Sequence, residues 1–300
     1  MANSQPTAAS MSTDLYGMAT LDACRQILKR LEPFRNLKGK NASFVDIVKA
    51  AYFERVDLSA HGFFALPGDR CGYDWDAEIP NNYKGPDNAF RGHAFNYFTQ
   101  GVAISEVEID VLSGDFKTLR SDVLVDVGSS INPGIDIGQI EGAFVQGMGW
   151  ATTEEMVWGN KSNHPWVKPF GKLFTQGPGT YKIPGFNDTP EEFNVELMSG
   201  VSNPFAVHSS KAIGEPPFFL GATVAFAIKD AIRAARHDVH EKAGSVFCLK
   251  LPATSERIRM LCADEIAGDS VVSDDKNEDD EHDNEKKKQI ILNFQPRGCF

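Results

Sequence analysis

The chain is poor in cysteine, and its five cysteines form no recognised pattern. They lie far apart, without a C-x-x-C pair and without a histidine at ligand spacing. This distribution argues against a zinc site, a complete iron–sulfur site and a disulfide framework. We therefore expect core or surface thiols at Cys24, Cys71, Cys248, Cys262 and Cys299.

Long apolar runs and an excess of basic residues are also missing. No stretch approaches the roughly 18 apolar residues of a membrane span, and no signal-peptide pattern opens the chain. The formal net charge of −11 disfavours nucleic acid and anionic membranes as partners, because both require a basic surface. Nucleotide-binding loops and the G-x-S-x-G motif of hydrolases are absent as well. These absences favour a protein of the cytoplasm.

The negative charge is concentrated near the C-terminus. Residues 274–285 hold eight acids and one lysine, a net charge of 1 − 8 = −7. Such a block repels itself and stays solvated, so we predict a disordered tail over residues 268–300 and a folded domain over residues 1–267. A docking role for the tail and a dispensable extension both remain open.

The rest of the chain alternates between helical and extended patterns. The apolar periodicity predicts helices from Ser12 or Thr13 to Pro33, over 44–54 with Phe44 on the buried face, over 135–157, over 218–236 and over 254–265. Alternating residues predict a hairpin of strands ending near Val111 and Val127, and a further strand over 193–197. Glycines at 138, 142, 147 and 149 of the third predicted helix suggest close backbone approach, to a neighbouring helix or to a ligand. Helices and hairpins in mixed order indicate an α+β fold.

Glu215 is the acidic residue with the most informative surroundings. It directly precedes Pro216 and Pro217, which suit the first turn of a helix. That helix carries a core-facing stripe of Leu220, Val224, Ile228 and Ile232. The apolar neighbours of Glu215 suggest a desolvated carboxylate, whose raised pKa suits a general base. The alternative is an ordinary acid favoured by the helix dipole.

Six segments together resemble the C-terminal part of the xanthine dehydrogenases, which are molybdenum hydroxylases. They occur in one order over roughly residues 5 to 267, and each segment alone would be weak. The matching strings are found at residues 6–15, at 138–150 (GQIEGAFVQGMGW), at 177–184 (GPGTYKIP), at 210–220 (SKAIGEPPFFL), at 227–236 (AIKDAIRAAR) and at 251–262 (LPATSERIRMLC).

The resemblance implies the C-terminal part of a molybdopterin-binding domain and an oxidoreductase activity. Glu215 would be the catalytic base that takes a proton from a molybdenum-bound hydroxyl group during hydroxylation of a purine, hypoxanthine or xanthine, towards urate. Electrons would leave through [2Fe-2S] clusters to FAD and NAD in other parts of a full-length homodimeric enzyme. Those parts, and the residues that orient the substrate, lie outside this sequence. We therefore expect the isolated chain neither to hold molybdopterin tightly nor to turn over.

The resemblance also assigns cofactor contacts. The backbone of the loop at Ala8, Ala9, Ser10, Met11 and Ser12 would lie against the pterin, with Ala9 nearest the molybdenum. Gln139 would hydrogen-bond near the metal's oxo ligand, and Ile213 and Gly214 would reach the cofactor edge. Residue by residue, ordinary explanations remain: N-capping for the two serines, a surface position for Gln139, and a solvated side chain rather than a phosphate or pterin contact for Lys211.

Two other functions remain open at this stage. An aldehyde oxidase acting on aldehydes and N-heterocycles shares the overall pattern, although the S-K-A-I-G-E-P-P-F-F and Y-K-I-P strings favour the xanthine enzymes. A non-catalytic binding protein descended from such an enzyme would account for the charged tail.

Overall fold

The structure is a computed structural model that describes residues 6–39, 41–68, 70, 72–85, 89–239 and 247–264. The described residues form two compact units. The first unit is drawn from the described residues within 1–100, 126–136 and 197–215, and the second from those within 101–125, 137–196 and 216–300. The predicted acidic tail at 268–300 lies outside the described residues.

Two helices build the core of the first unit. Helix α1 runs over Ser12–Lys38 and helix α2 over Phe44–Phe53. Ser43 caps α2, since its hydroxyl accepts a hydrogen bond of 3.2 Å from the Asp46 N–H. Leu31 of α1 packs with Ile47 and Ala51 of α2 in a buried cluster. The second predicted helix is confirmed, but Phe44 is 58% exposed and does not belong to this cluster.

The prediction that Pro33 ends the first helix is wrong. Helix α1 continues through Pro33 to Lys38, and the C-cap Gly39, with a φ of 86°, ends the helical path. A proline inside a helix costs about 3 kcal/mol. Leu31 and Phe34, on either side of Pro33, pack against α2. Burying an apolar side chain of this size contributes about 1.5–3 kcal/mol, so the packing offsets the cost of the proline.

Residues 65–95 are rich in glycine, proline, aspartate and asparagine, and this part of the first unit has little regular structure. Strands β1 (Gly72–Tyr73) and β2 (Gly92–His93) form a short antiparallel pair, and a 3-10 turn spans Ala89–Arg91. A second 3-10 turn spans Val207–Ser209 and leads into the segment that carries Glu215.

The second unit contains a three-stranded sheet. Strand β3 (Gly101–Ile109) pairs with β4 (Phe116–Val125) in antiparallel register from Gly101 opposite Val125 to Ile109 opposite Phe116. A bulge lies between Glu106 and Val107. Strand β5 (Glu192–Leu197) follows a 3-10 turn at Phe186–Asp188 and lies on the other side of β4. The predicted hairpin and the later strand are both confirmed.

Helix α3 (Pro133–Thr152) ends five residues before its predicted end at Val157. Its residues from 137 onwards belong to the second unit. The glycines of α3 differ in their surroundings. A Cβ on Gly147 would lie 1.7 Å from the carbonyl oxygen of Phe218, whereas Gly138 and Gly142 have no other atom within 4 Å of that position. Close backbone approach is therefore confirmed at Gly147, but not at the two earlier glycines.

The segment after Glu215 begins as a 3-10 helix rather than an α-helix. Residues Pro216–Gly221 form the 3-10 helix, and α4 then spans Ala222–Val239. Val224, Ile228 and Ile232 are fully buried, which confirms most of the predicted stripe, while Leu220 is half-buried. Helix α5 spans Ser255–Leu261. The two units together confirm an α+β fold, and no helix of the described residues is both long and apolar enough for a membrane span.

Candidate active site

The predicted cofactor loop forms a strained turn in the first unit. The Met11 N–H donates to the Ala8 carbonyl at 3.2 Å, and the two residues between them have positive φ angles, 51° at Ala9 and 53° at Ser10. Each non-glycine residue in this region costs on the order of 1–3 kcal/mol, and such strain is concentrated at functional sites. The turn presents the exposed Ala8 and Ala9 to solvent.

Helix α1 begins directly after this turn, and its first backbone amides are open. Met11 occupies the N-cap position and makes no capping bond with its side chain, so neither serine of the loop is the predicted N-cap. The Leu15 N–H donates to the Met11 carbonyl, which leaves the N–H groups of residues 12–14 without acceptors inside the helix. Ser12 instead donates a long hydrogen bond of 3.5 Å to the Thr7 hydroxyl. The helix start is suited to an anionic or polar group of a ligand.

Ser10 joins the loop to Glu215, 205 residues later in the chain. Its hydroxyl accepts a hydrogen bond of 2.9 Å from the Glu215 N–H and donates one of 3.3 Å to Glu215 Oε2. The catalytic carboxylate predicted from the sequence therefore lies beside the predicted cofactor loop.

The predicted desolvation of Glu215 is not observed. Its side chain is exposed, whereas Ile213 and Gly214 are half-buried. Apolar residues next to a carboxylate in sequence shield it from water only when the folded chain places them over it. The periodicity of the sequence does not determine this placement. Glu215 Oε1 has no hydrogen-bond partner within the described part of the chain.

Two contacts hold the segment that ends in Glu215. Lys211 forms an ion pair with Asp126 Oδ2, with side-chain exposures of only 10% and 5%, and the Lys211 N–H donates to the Val127 carbonyl at 2.9 Å. Lys211 is therefore neither solvated nor available to a ligand, contrary to both sequence interpretations. The next residue, Ala212, donates its N–H to the Tyr97 hydroxyl at 2.9 Å.

Tyr97 also donates its hydroxyl proton to Asp14 Oδ2 in the first turn of α1. Asp14 is only 6% exposed, and burial raises the pKa of its carboxyl group. Burial, and secondarily the hydrogen bond to Asp14, also raises the pKa of the Tyr97 phenol, which therefore remains protonated at neutral pH. The sequence patterns did not single out Asp14, Tyr97 or Asp126, because their partners lie 83 or more residues away along the chain.

The backbone before Glu215 is bent in an unusual way. His208 and Ser209 have positive φ angles of 50° and 61°, and Gly128 also lies in the left-handed region. A Cβ on Gly128 would lie 2.2 Å from the Ser209 carbonyl oxygen. The Asn203 side chain donates to the Ser210 carbonyl at 2.8 Å. A glycine is therefore needed at position 128, where the backbone passes close to Ser209.

Gln139 is the one predicted site residue that the structure assigns to the second unit. It is an exposed residue of α3. Its role near the metal remains a prediction. In the described ranges, no three His, Cys, Asp or Glu side chains are grouped as metal ligands.

Comparison with known proteins identifies relatives that match most of the chain. The profile of the molybdopterin cofactor-binding domain matches residues 1–190. Xanthine dehydrogenase of Oryza sativa subsp. japonica is 55% identical over 264 residues, 88% of this chain and 18% of the relative. Xanthine dehydrogenase of Dictyostelium discoideum is 53% identical over 262 residues, 87% of this chain and 18% of the relative. The chain thus spans about a fifth of the length of these relatives.

Solved structures agree with these relatives at the level of the fold. The aldehyde oxidoreductase from Desulfovibrio gigas has a TM-score of 0.64 at 20% identity, over 87% of this chain and 24% of that one. The corresponding enzyme from Desulfovibrio desulfuricans has a TM-score of 0.58 at 20% identity, over 86% and 23%. Because the domain profile covers residues 1–190 of 300, the chain belongs to the molybdopterin cofactor-binding domain family.

Proposed function

We propose that this chain supplies the base and part of the cofactor wall of a molybdenum hydroxylase that acts on purines. The observation that carries the proposal is the contact between Ser10 and Glu215, which brings an exposed carboxylate to a strained loop with open amides. The identity of about half to relatives named xanthine dehydrogenase supports a purine as the substrate, in preference to an aldehyde.

The residues of the loop fit a molybdopterin cofactor. The N–H groups at the start of α1 point away from any intrahelical acceptor, and oxygen atoms of a pterin or its phosphate would accept their hydrogen bonds. Ala8, Ala9, Ser10, Met11 and Ser12 would hold the cofactor, Ile213 and Gly214 would border it, and Gln139 would contribute an amide. When bound, the cofactor supplies a two-electron oxidant for a carbon–hydrogen bond.

Glu215 would accept the proton that hydroxylation releases. Ser10 donates to Oε2 at 3.3 Å and so helps to orient the carboxylate, while Oε1 has no hydrogen-bond partner among the described residues. Ala8 and Ala9, on the same turn as Ser10, are exposed.

The test is Glu215→Gln in a full-length hydroxylase that contains this sequence. Glutamine keeps the size of the side chain and removes the base, so we expect turnover of xanthine to fall at least about 100-fold, in the range of general-base contributions, with unchanged molybdenum content. Glu54→Gln, an exposed residue at the end of α2, is the control and should retain full activity. A Glu215→Gln enzyme with half of the normal turnover would refute the proposal. Faster turnover of aldehydes than of xanthine would refute the proposal that the substrate is a purine.

A further inference from the structure

We infer that Tyr97 and Asp14 are positioning residues for Glu215. This inference rests on the proposed function of Glu215 as the base. The Tyr97 hydroxyl accepts from the Ala212 N–H at 2.9 Å and donates to Asp14 Oδ2, so one phenol joins the segment of the base to the first turn of α1.

The bridge joins the two parts of the candidate site, which are the cofactor loop and the segment that ends in Glu215. Asp14 follows the cofactor loop by two residues, and Ala212 precedes Glu215 by three. The second link between the same parts is the Ser10 hydroxyl, which contacts Glu215 directly. The Ser10 link lies among exposed groups, whereas Asp14 is 6% exposed. The bridge, whose two hydrogen bonds are partly buried, therefore fixes the distance between Glu215 and the cofactor loop, and the Ser10 contact sets the orientation of the carboxylate.

The bridge requires a hydroxyl group that donates one hydrogen bond and accepts another at the same time. Asp14 is an acceptor when ionised, and the Ala212 N–H is a donor, so the atom between them must have both properties. Phenylalanine at position 97 would leave a buried carboxylate and a backbone N–H without partners, and such groups are costly to bury. The segment would then move to expose Ala212 to water and carry Glu215 with it.

The bridge is tested in the 300-residue chain by amide hydrogen exchange. In Tyr97→Phe we expect the exchange of the Ala212 and Glu215 amides to accelerate at least about tenfold, while the amide of Ile228 in the second unit keeps its protection. Tyr181→Phe is the matched control, because Tyr181 also donates to a carboxylate, that of Glu154. It should leave the Ala212 and Glu215 amides unchanged. Unchanged exchange of these amides in Tyr97→Phe overturns the inference.

A second pair of variants covers the case in which Tyr97→Phe unfolds the first unit. Asp14→Asn keeps an acceptor for the Tyr97 hydroxyl and should exchange within about threefold of the wild type at Ala212 and Glu215. Asp14→Ala removes the acceptor and should show the acceleration. Equal exchange in the two variants overturns the inference.

A full-length hydroxylase separates positioning from general structure. Tyr97→Phe should lower kcat about 10- to 100-fold, as expected for a displaced catalytic group, with KM and molybdenum content unchanged. Loss of molybdenum in step with kcat would instead indicate a structural role and contradict the inference. If Glu215→Gln remains active, the proposed role of Glu215 as the base is refuted. The amide-exchange experiment does not depend on that role, so its result still stands. The positioning role fails if Glu215→Gln is inactive but Tyr97→Phe is fully active.

Discussion

The buried ion pair between Lys211 and Asp126 gives the most demanding prediction for stability. The two side chains are 10% and 5% exposed, so both charges have lost nearly all of their contact with water. Replacing Lys211 with methionine keeps most of the side-chain volume and removes the positive charge. Among the described residues, the Asp126 carboxylate then keeps one hydrogen bond, of 2.8 Å, which its Oδ1 accepts from the Gly128 N–H.

The expected magnitude follows from this burial. Removing one partner of a buried pair destabilises a protein by about 3–5 kcal/mol, because the remaining charge is uncompensated. Lys211→Met should therefore lower the free energy of unfolding of the first unit by about that amount. Adding Asp126→Asn removes the orphaned charge, so the double variant should be more stable than Lys211→Met alone. Arg233→Met, which breaks an exposed pair with Asp230 on α4, is the control and should cost less than about 1 kcal/mol.

The assay is hydrogen exchange of the α1 amides, which reports the unfolding free energy of the first unit separately from the second. A loss below about 1 kcal/mol in Lys211→Met would place this pair among exposed ion pairs and refute the reasoning from burial. A double variant that is less stable than Lys211→Met would also refute it, since the cost would then come from lost packing rather than from an unpaired charge.

Two further predictions concern pH and the helix glycines. The folded-state pKa of Asp14 is raised above its ordinary value of 3.8 by burial, so the stability it contributes is fully present below that value and is lost as the pH rises through the raised pKa. Asp14→Asn, whose amide oxygen still accepts from Tyr97, should therefore gain stability relative to the wild type as the pH of the urea unfolding rises above 3.8; a difference that stays constant with pH would contradict this. In α3, Gly147→Ala should destabilise the second unit by about 1–3 kcal/mol, because its Cβ would lie 1.7 Å from the Phe218 carbonyl oxygen. Gly138→Ala, with open space around it, should stabilise the helix by up to about 1 kcal/mol in thermal unfolding. Similar effects at the two glycines would be inconsistent with the packing described for Gly147.

Local sequence patterns predicted most of the regular elements. The alternation around Val107 and Ile109 gave the hairpin, and the spacing of Val224, Ile228 and Ile232 gave the buried face of α4. These predictions succeed because an element that buries one face must repeat its apolar residues at its own period. The ends of the elements were less predictable. Contacts with α2 carry α1 past Pro33, and Pro216 opens a 3-10 helix.

The matched strings contain both Ser10 and Glu215, and the structure brings these two residues into contact. They did not anticipate what holds the two parts of the candidate site together. The Asp14, Tyr97 and Ala212 bridge and the Lys211 and Asp126 pair each join residues 83 or more positions apart. A side chain's burial and charge partner depend on what folds over it, and this is why Lys211 is buried while Glu215 is exposed.

The sequence by itself determined the α+β class, the periodic faces of the helices and strands, and the family to which the chain belongs. These properties are encoded in residues that are near one another along the chain. Only the tertiary structure decided which polar groups are buried, which of them pair, and how the backbone bends at Ala9, Ser10, His208 and Ser209. Hydrogen bonds and desolvation act over a few ångströms of space, and that proximity arises only when distant segments fold against each other.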